Sequence, residues 1–189
     1  MNFDDDFKNI NVRVSELLLA TSDSADADID QAVPEVLRLV RERLHMDVVF
    51  VSEFVDGQRV MRYVDRTGSA PDLAAGDSGP LEESYCQRVV DGRLPGLVTD
   101  VSKLPASYEL PPTPIRVGAH LSTPIVLPDG QTYGTLCCFS TAANEQLRKR
   151  DLEQLKLSAQ LVARKIDTAV QRHETPDWSL APVEPVRRR

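Results

Sequence analysis

Val117-Gly118-Ala119-His120-Leu121-Ser122-Thr123-Pro124-Ile125-Val126-Leu127-Pro128-Asp129-Gly130, continued after Gln131 and Thr132 by Tyr133-Gly134-Thr135-Leu136-Cys137-Cys138, decides the fold. Ala119 to Leu127 and Thr132 to Ser140 carry strand-forming residues on both sides of an explicit turn. Within that turn Pro128 presets φ, Asp129 can accept a hydrogen bond from the backbone two residues on, and Gly130 tolerates positive φ. The pair therefore reads as a β-hairpin. Gly134 allows another backbone to approach its strand, and Pro124, which lacks an N–H, suits an edge or a bulge.

Toward the C-terminus a helix is predicted from about Gln146 to His173. Its apolar residues Leu152, Leu155, Ala159, Val162, Ile166 and Ala169 recur at three- and four-residue spacing, as a coiled-coil seam requires. Beyond it Pro176, Trp178, Pro182 and Pro185 stand in a polar context that neither continues a helix nor builds a core. Toward the N-terminus, prolines 105, 111, 112 and 114 make a long irregular connection expected to act as a lid or mobile loop. Before it come a short strand, Leu97 to Val101, and a helix from Leu81 to Asp91 stopped by Gly92. Asp47 to Val55 and Val60 to Val64 read as a second hairpin turning at Asp56-Gly57. A helix with Ile29, Val33, Val36, Val40 and Leu44 on one stripe precedes them, capped by Asp28 or Asp30 and ending near His45. The chain opens with a helix whose stripe is Phe3, Phe7, Ile10, Val14 and Leu17.

Composition bounds the function. With 189 residues, 41 % hydrophobic and 27 % charged, the chain is expected to form one folded domain with helical extensions. A net charge of −7 repels nucleic-acid phosphates and anionic lipid, and Arg187 to Arg189 read as a solvated tail. No run reaches the ~18 apolar residues of a membrane span, and Asp4 to Asp6 carry the wrong charge for a secretory leader, so a cytoplasmic location is expected. Three cysteines, two of them adjacent, make a poor disulfide framework and read as free thiols.

The order of elements, together with Ser84-Tyr85-Cys86-Gln87-Arg88-Val89-Val90-Asp91-Gly92, Leu97-Val98-Thr99-Asp100 and the hairpin block quoted first, resembles the GAF domain family. It looks like bacterial GAF sensors, including those attached to cyclic-di-GMP enzymes. The resemblance covers about residues 30–173. It implies an α+β fold: a six-stranded antiparallel sheet with the terminal helices on one face and a small-molecule pocket roofed by loops and short helices on the other. The expected organisation is an N-terminal helical extension over 1–27, the GAF-like domain over 28–173 and a disordered tail over 174–189.

Members of the family with special chemistry can be compared residue by residue. Bilin-binding members resemble one another in a Cys-His pair and an Asp-Ile-Pro motif, whereas Cys86 is followed by Gln87 and the tripeptide is absent. The cyclic-nucleotide signature of phosphodiesterase members is also absent. Free methionine sulfoxide reductases need cysteines that can attack and resolve, but neighbours on one strand such as Cys137 and Cys138 point to opposite faces. Both read as buried fillers, with no bridge between them. Cys86 reads as core or pocket lining, with Arg88 the nearby cation able to lower its pKa; redox sensing is the alternative. His120 invites comparison with haem ligands of GAF oxygen sensors, but a lone strand histidine without a second metal ligand is read as structural. No Ser-His-Asp order, phosphate loop or metal motif appears, so no catalytic or metal residue is assigned.

The sequence reading is a non-enzymatic, small-molecule-sensing module that works through ligand binding and homodimerisation, with output passed to its mate or to a separate protein. The alternative is a thiol-dependent reductase or cysteine redox sensor on the same fold. The ligand-side residues are expected to be Cys86, Asp100, His120, Ser122 and Thr123, clustered around the long loop. The dimer is expected to be parallel, its interface formed by the first and last helices; no cofactor is named.

Overall fold

A computed structural model describes residues 27–174 of the chain, with side chains over 32–169. The expected opening helix and C-terminal tail lie outside these residues. In chain order the elements are α1 (Ala27–Leu44), β1 (Val48–Val55), β2 (Gln58–Arg66), β3 (Ser78–Pro80), α2 (Tyr85–Val90), β4 (Leu97–Val98), β5 (Ala119–Val126), β6 (Thr132–Ser140) and α3 (Lys149–Glu174). The strands form one six-stranded antiparallel sheet in the order β3-β2-β1-β6-β5-β4, in agreement with the predicted fold class.

Local chemistry explains the connections. Asp56 and Gly57 both take positive φ, at 51° and 72°, which is the two-residue turn that matches strand twist and joins Val55 to its partner Gln58. At the second hairpin the Gly130 N–H donates to the Leu127 carbonyl at 2.9 Å, and Asp129 Oδ1 accepts from the Gln131 N–H at 2.8 Å. A Cβ on Gly134 would lie 1.9 Å from the Ser52 carbonyl oxygen, so only glycine lets β6 sit this close to β1. Pro124 lies beyond the two residues of β5 that pair with β4, where its missing N–H costs no ladder bond on that side.

The predicted helix from Leu81 to Asp91 is two pieces. Leu81–Glu83 form a 3-10 turn, Ser84 is extended at φ −117° and ψ 146°, and α2 starts only at Tyr85. Ser84 breaks the run because its hydroxyl accepts from the Gln87 N–H at 3.1 Å, capping a new helix. Cys86 therefore sits in the first turn of α2 and not mid-helix. The Pro-rich connection carries short 3-10 turns at Val101–Lys103 and Ala106–Tyr108.

Strand alternation divides the core in two. One face carries Val49, Val51, Leu121, Ile125, Leu136 and Cys138, covered by Val33, Val36, Leu37 and Val40 of α1 and by Leu155, Ala159, Val162 and Ile166 of α3. The opposite face carries Val48, Phe50, Met61, Cys137 and Phe139, with Cys86 descending onto it from α2. The expected dimer seam needs correction here. Leu155, Ala159, Val162 and Ile166 are at most 4 % exposed within a single chain, so the stripe packs on its own sheet. α1 and α3 share that face side by side, and among the described residues of α3 the exposed large apolar side chain is Leu157, at 45 %.

Candidate functional site

A cavity of about 490 Å³ opens on the sheet face away from α1 and α3. Its floor is apolar: Phe50 of β1, Met61 of β2 and Phe139 of β6, with the two rings edge to face at 6.4 Å. The roof is made by Leu73 and β3, by the start of α2, and by Pro112 to Ile115 of the Pro-rich connection. That connection therefore covers the cavity. The volume falls in the range that holds one small organic molecule.

Two polar side chains project from the floor, each with one buried nitrogen left without a hydrogen bond. His120 of β5 is buried, its ring edge to face with Tyr85 at 5.4 Å, and its Nδ1 has no hydrogen bond. Burial alone lowers its pKa to about 4, so the imidazole is neutral at physiological pH. Arg59 of β2 faces the same space; its Nε is buried without a partner, and among the described residues it forms no ion pair. A guanidinium left this way bears a desolvation cost that an acceptor in the cavity would offset. Three carboxylates border the cavity: Asp72 pairs with Arg66 at 2.8 Å, Asp77 accepts from the Ala74 N–H at 2.8 Å, and Glu83 stands on the 3-10 turn before α2.

Between floor and roof lies a pair of thiols. Cys86 Sγ is 3.3 Å from Cys137 Sγ, and Arg59 Nη1 approaches Cys86 Sγ at 4.0 Å. Cys137 Sγ lies 2.8 Å from Ser122 Oγ and 3.1 Å from Thr135 Oγ1, and Thr135 meets Ser52 Oγ at 2.9 Å. The hydrogen bond from Cys137 lowers the Cys86 pKa below that of an ordinary thiol against the opposing effect of burial, and the charge of Arg59 adds to the lowering. Cys137 moves the other way, raised first by burial and then by Cys86. Cys138, on the helix face, is raised by burial alone.

Of the residues expected on the ligand side, Cys86 and His120 line the cavity. Ser122 lies beneath it, bonded to Cys137. Thr123 follows one residue later on the strand and is buried toward the helices. Asp100 lies outside the cavity because its carboxylate is spent locally: it accepts from the Ser102 backbone and hydroxyl at 3.0 and 2.6 Å and pairs with Lys103 at 3.3 Å. The cation next to Cys86 is Arg59, while Arg88 donates to the Tyr108 carbonyl at 3.3 Å. Sequence reading missed Arg59, Ser52 and Thr135. The available signal was alternation: Arg59 shares a strand face with Met61, and Ser52 interrupts an apolar run at an inward position.

The comparisons agree with this architecture. The crystal structure of residues 122 to 287 of a methyl-accepting chemotaxis protein is similar over 88 % of this chain and 99 % of that one, with a TM-score of 0.65 and 18 % identity. The phycocyanobilin-bound GAF domain of a cyanobacterial phytochrome is similar over 89 % and 97 %, at 0.66 and 13 %. Free methionine-R-sulfoxide reductase from Neisseria meningitidis, in complex with its substrate, is similar over 84 % and 89 %, at 0.62 and 16 %. No curated protein matches the chain. No described helix is long and apolar enough to cross a membrane. The family model for the GAF domain matches residues 26–167, most of the chain, and with the sheet order and roofed cavity in agreement the chain belongs to the GAF domain family.

Proposed function

We propose that the chain is a sensory module that binds one small molecule in the cavity and acts by regulation rather than catalysis. The observation that carries this reading is the 490 Å³ space with an apolar floor and two buried polar atoms, Arg59 Nε and His120 Nδ1, left without partners. That pattern suits a ligand with a flat apolar body and an acceptor or anionic group at the Arg59 end. Cys86 and His120 are the expected site residues that would touch it, and Ser122 would act through Cys137. A fragment of a methyl-accepting chemotaxis protein and a phycocyanobilin-bound GAF domain among the structural neighbours support a sensory role.

The reading extends to a homodimer in the cytoplasm, with residues before 28 and after 173 flanking the module and output passing to the mate or to a separate protein. Leu157, outward on α3, is the residue we assign to the contact between copies. Three free thiols suit a reducing compartment.

Native mass spectrometry of the full chain, purified without denaturation and then mixed with 2-naphthoate as an anionic aromatic probe, tests both parts. Expected are a dimer mass and one probe, or one copurified molecule, per subunit. A chain that holds neither molecule would overturn the ligand reading, and a monomer at micromolar concentration would overturn the dimer.

A further inference from the structure

We infer that Cys86 and Cys137 form a hydroperoxide-responsive dithiol, which closes a reversible disulfide between the roof and the floor of the cavity. This inference does not depend on the identity of the ligand. Four observations carry it. The two sulfurs are 3.3 Å apart although 51 residues separate them in sequence. They belong to different layers, Cys86 to α2 and Cys137 to the central strand β6, so a bond between them would fasten the roof to the sheet. Cys86 lines a cavity many times the size of a peroxide molecule, which gives the oxidant a route to an otherwise buried sulfur. Arg59, with no carboxylate partner among the described residues, stands beside Cys86 and would stabilise its thiolate.

The chemistry divides between the two thiols. Cys86 sulfur attacks one oxygen of the hydroperoxide ROOH, the O–O bond breaks, and the other oxygen leaves as ROH with the proton that the thiol gave up. Cys86 is then a sulfenic acid. The Cys137 sulfur attacks it, the S–O bond breaks, and the hydroxyl departs as water with the Cys137 proton. In sum two thiols lose two electrons, the peroxide gains them, and the products are one disulfide, ROH and water. Ser122 and Thr135, bonded to Cys137, are positioning residues that hold the second sulfur toward the first. Cys138 takes no part, because it faces the opposite core.

The test is intact-mass and peptide analysis of the full reduced chain after stoichiometric hydrogen peroxide. Expected is the loss of two hydrogens, mapped to Cys86–Cys137 and reversed by dithiothreitol. The same bridge should form in Cys138→Ser. Cys137→Ser should stop at a sulfenic acid on residue 86 that reacts with dimedone, and Cys86→Ser should give no dimedone adduct. Arg59→Met should slow the reaction by up to about tenfold, as expected for loss of roughly one unit of thiolate stabilisation. A bridge through Cys138, a bridge between chains, a sulfenic acid first on Cys137, or three thiols surviving in the folded wild type would each overturn the proposal. The wild-type peptide map decides it even if a variant fails to fold.

Discussion

Arg59 Nη1 stands 4.0 Å from Cys86 Sγ, bringing a β2 cation to a sulfur on the roof helix 27 residues away. It is also the cation that faces the proposed ligand. Replacing it with Gln keeps hydrogen-bonding capacity but removes the charge, which should weaken 2-naphthoate binding about tenfold by calorimetry, the usual scale for one charge-assisted hydrogen bond. Unchanged affinity would move the acceptor group elsewhere in the cavity.

His120 makes stability depend on pH in a defined direction. Its folded pKa, about 4, lies below the ordinary 6.5, so between these values the unfolded chain binds more protons than the folded one. Stability contributed by the neutral imidazole is therefore present above pH 6.5 and lost as pH falls toward 4, by on the order of 3 kcal/mol in full. Urea unfolding of wild type and His120→Asn across this window should show a shallower slope in the variant.

Much of the fold was legible in the sequence because its punctuation is local. Asp56-Gly57 and Pro128 to Gly130 fix two hairpins by turn chemistry alone, and the stripe from Val33 to Leu44 fixes α1. The site was only partly legible, because it joins residues distant in the chain. Cys86 and His120 were recognised as single candidates, but Arg59 is joined to Cys86 only by the folding of β2 under α2. Asp100 sits near the long loop as expected, yet its short-range bonds to Ser102 hold it away. The α3 stripe packs on its own sheet. Periodicity shows that one face is buried, and it cannot distinguish a partner chain from the helix's own sheet.

Val162→Asp places a charge where the native side chain is fully buried, and should cost on the order of 4 kcal/mol, enough to leave the chain unfolded or aggregated. Leu157→Asp, at an exposed position, should change stability by no more than about 0.5 kcal/mol. In sedimentation it should dissociate the proposed dimer while the fold persists by circular dichroism.

Gly134 should be among the least replaceable positions. Alanine there meets the Ser52 backbone oxygen at 1.9 Å and should cost more than about 3 kcal/mol, whereas Gly68→Ala, with open space around it, should be close to neutral. Thermal melting of the two variants beside wild type reads the difference.

Ligand binding in the cavity can be read from the methionines. The sequence has three, of which Met61 lines the cavity floor and Met46 lies in the opposite core beneath the helices. In methyl-labelled protein titrated with 2-naphthoate, the Met61 resonance should shift saturably and the Met46 resonance should hold still. A Met61 signal that never moves, or a Met46 signal that moves equally with it, would mean that the cavity is not where the probe binds.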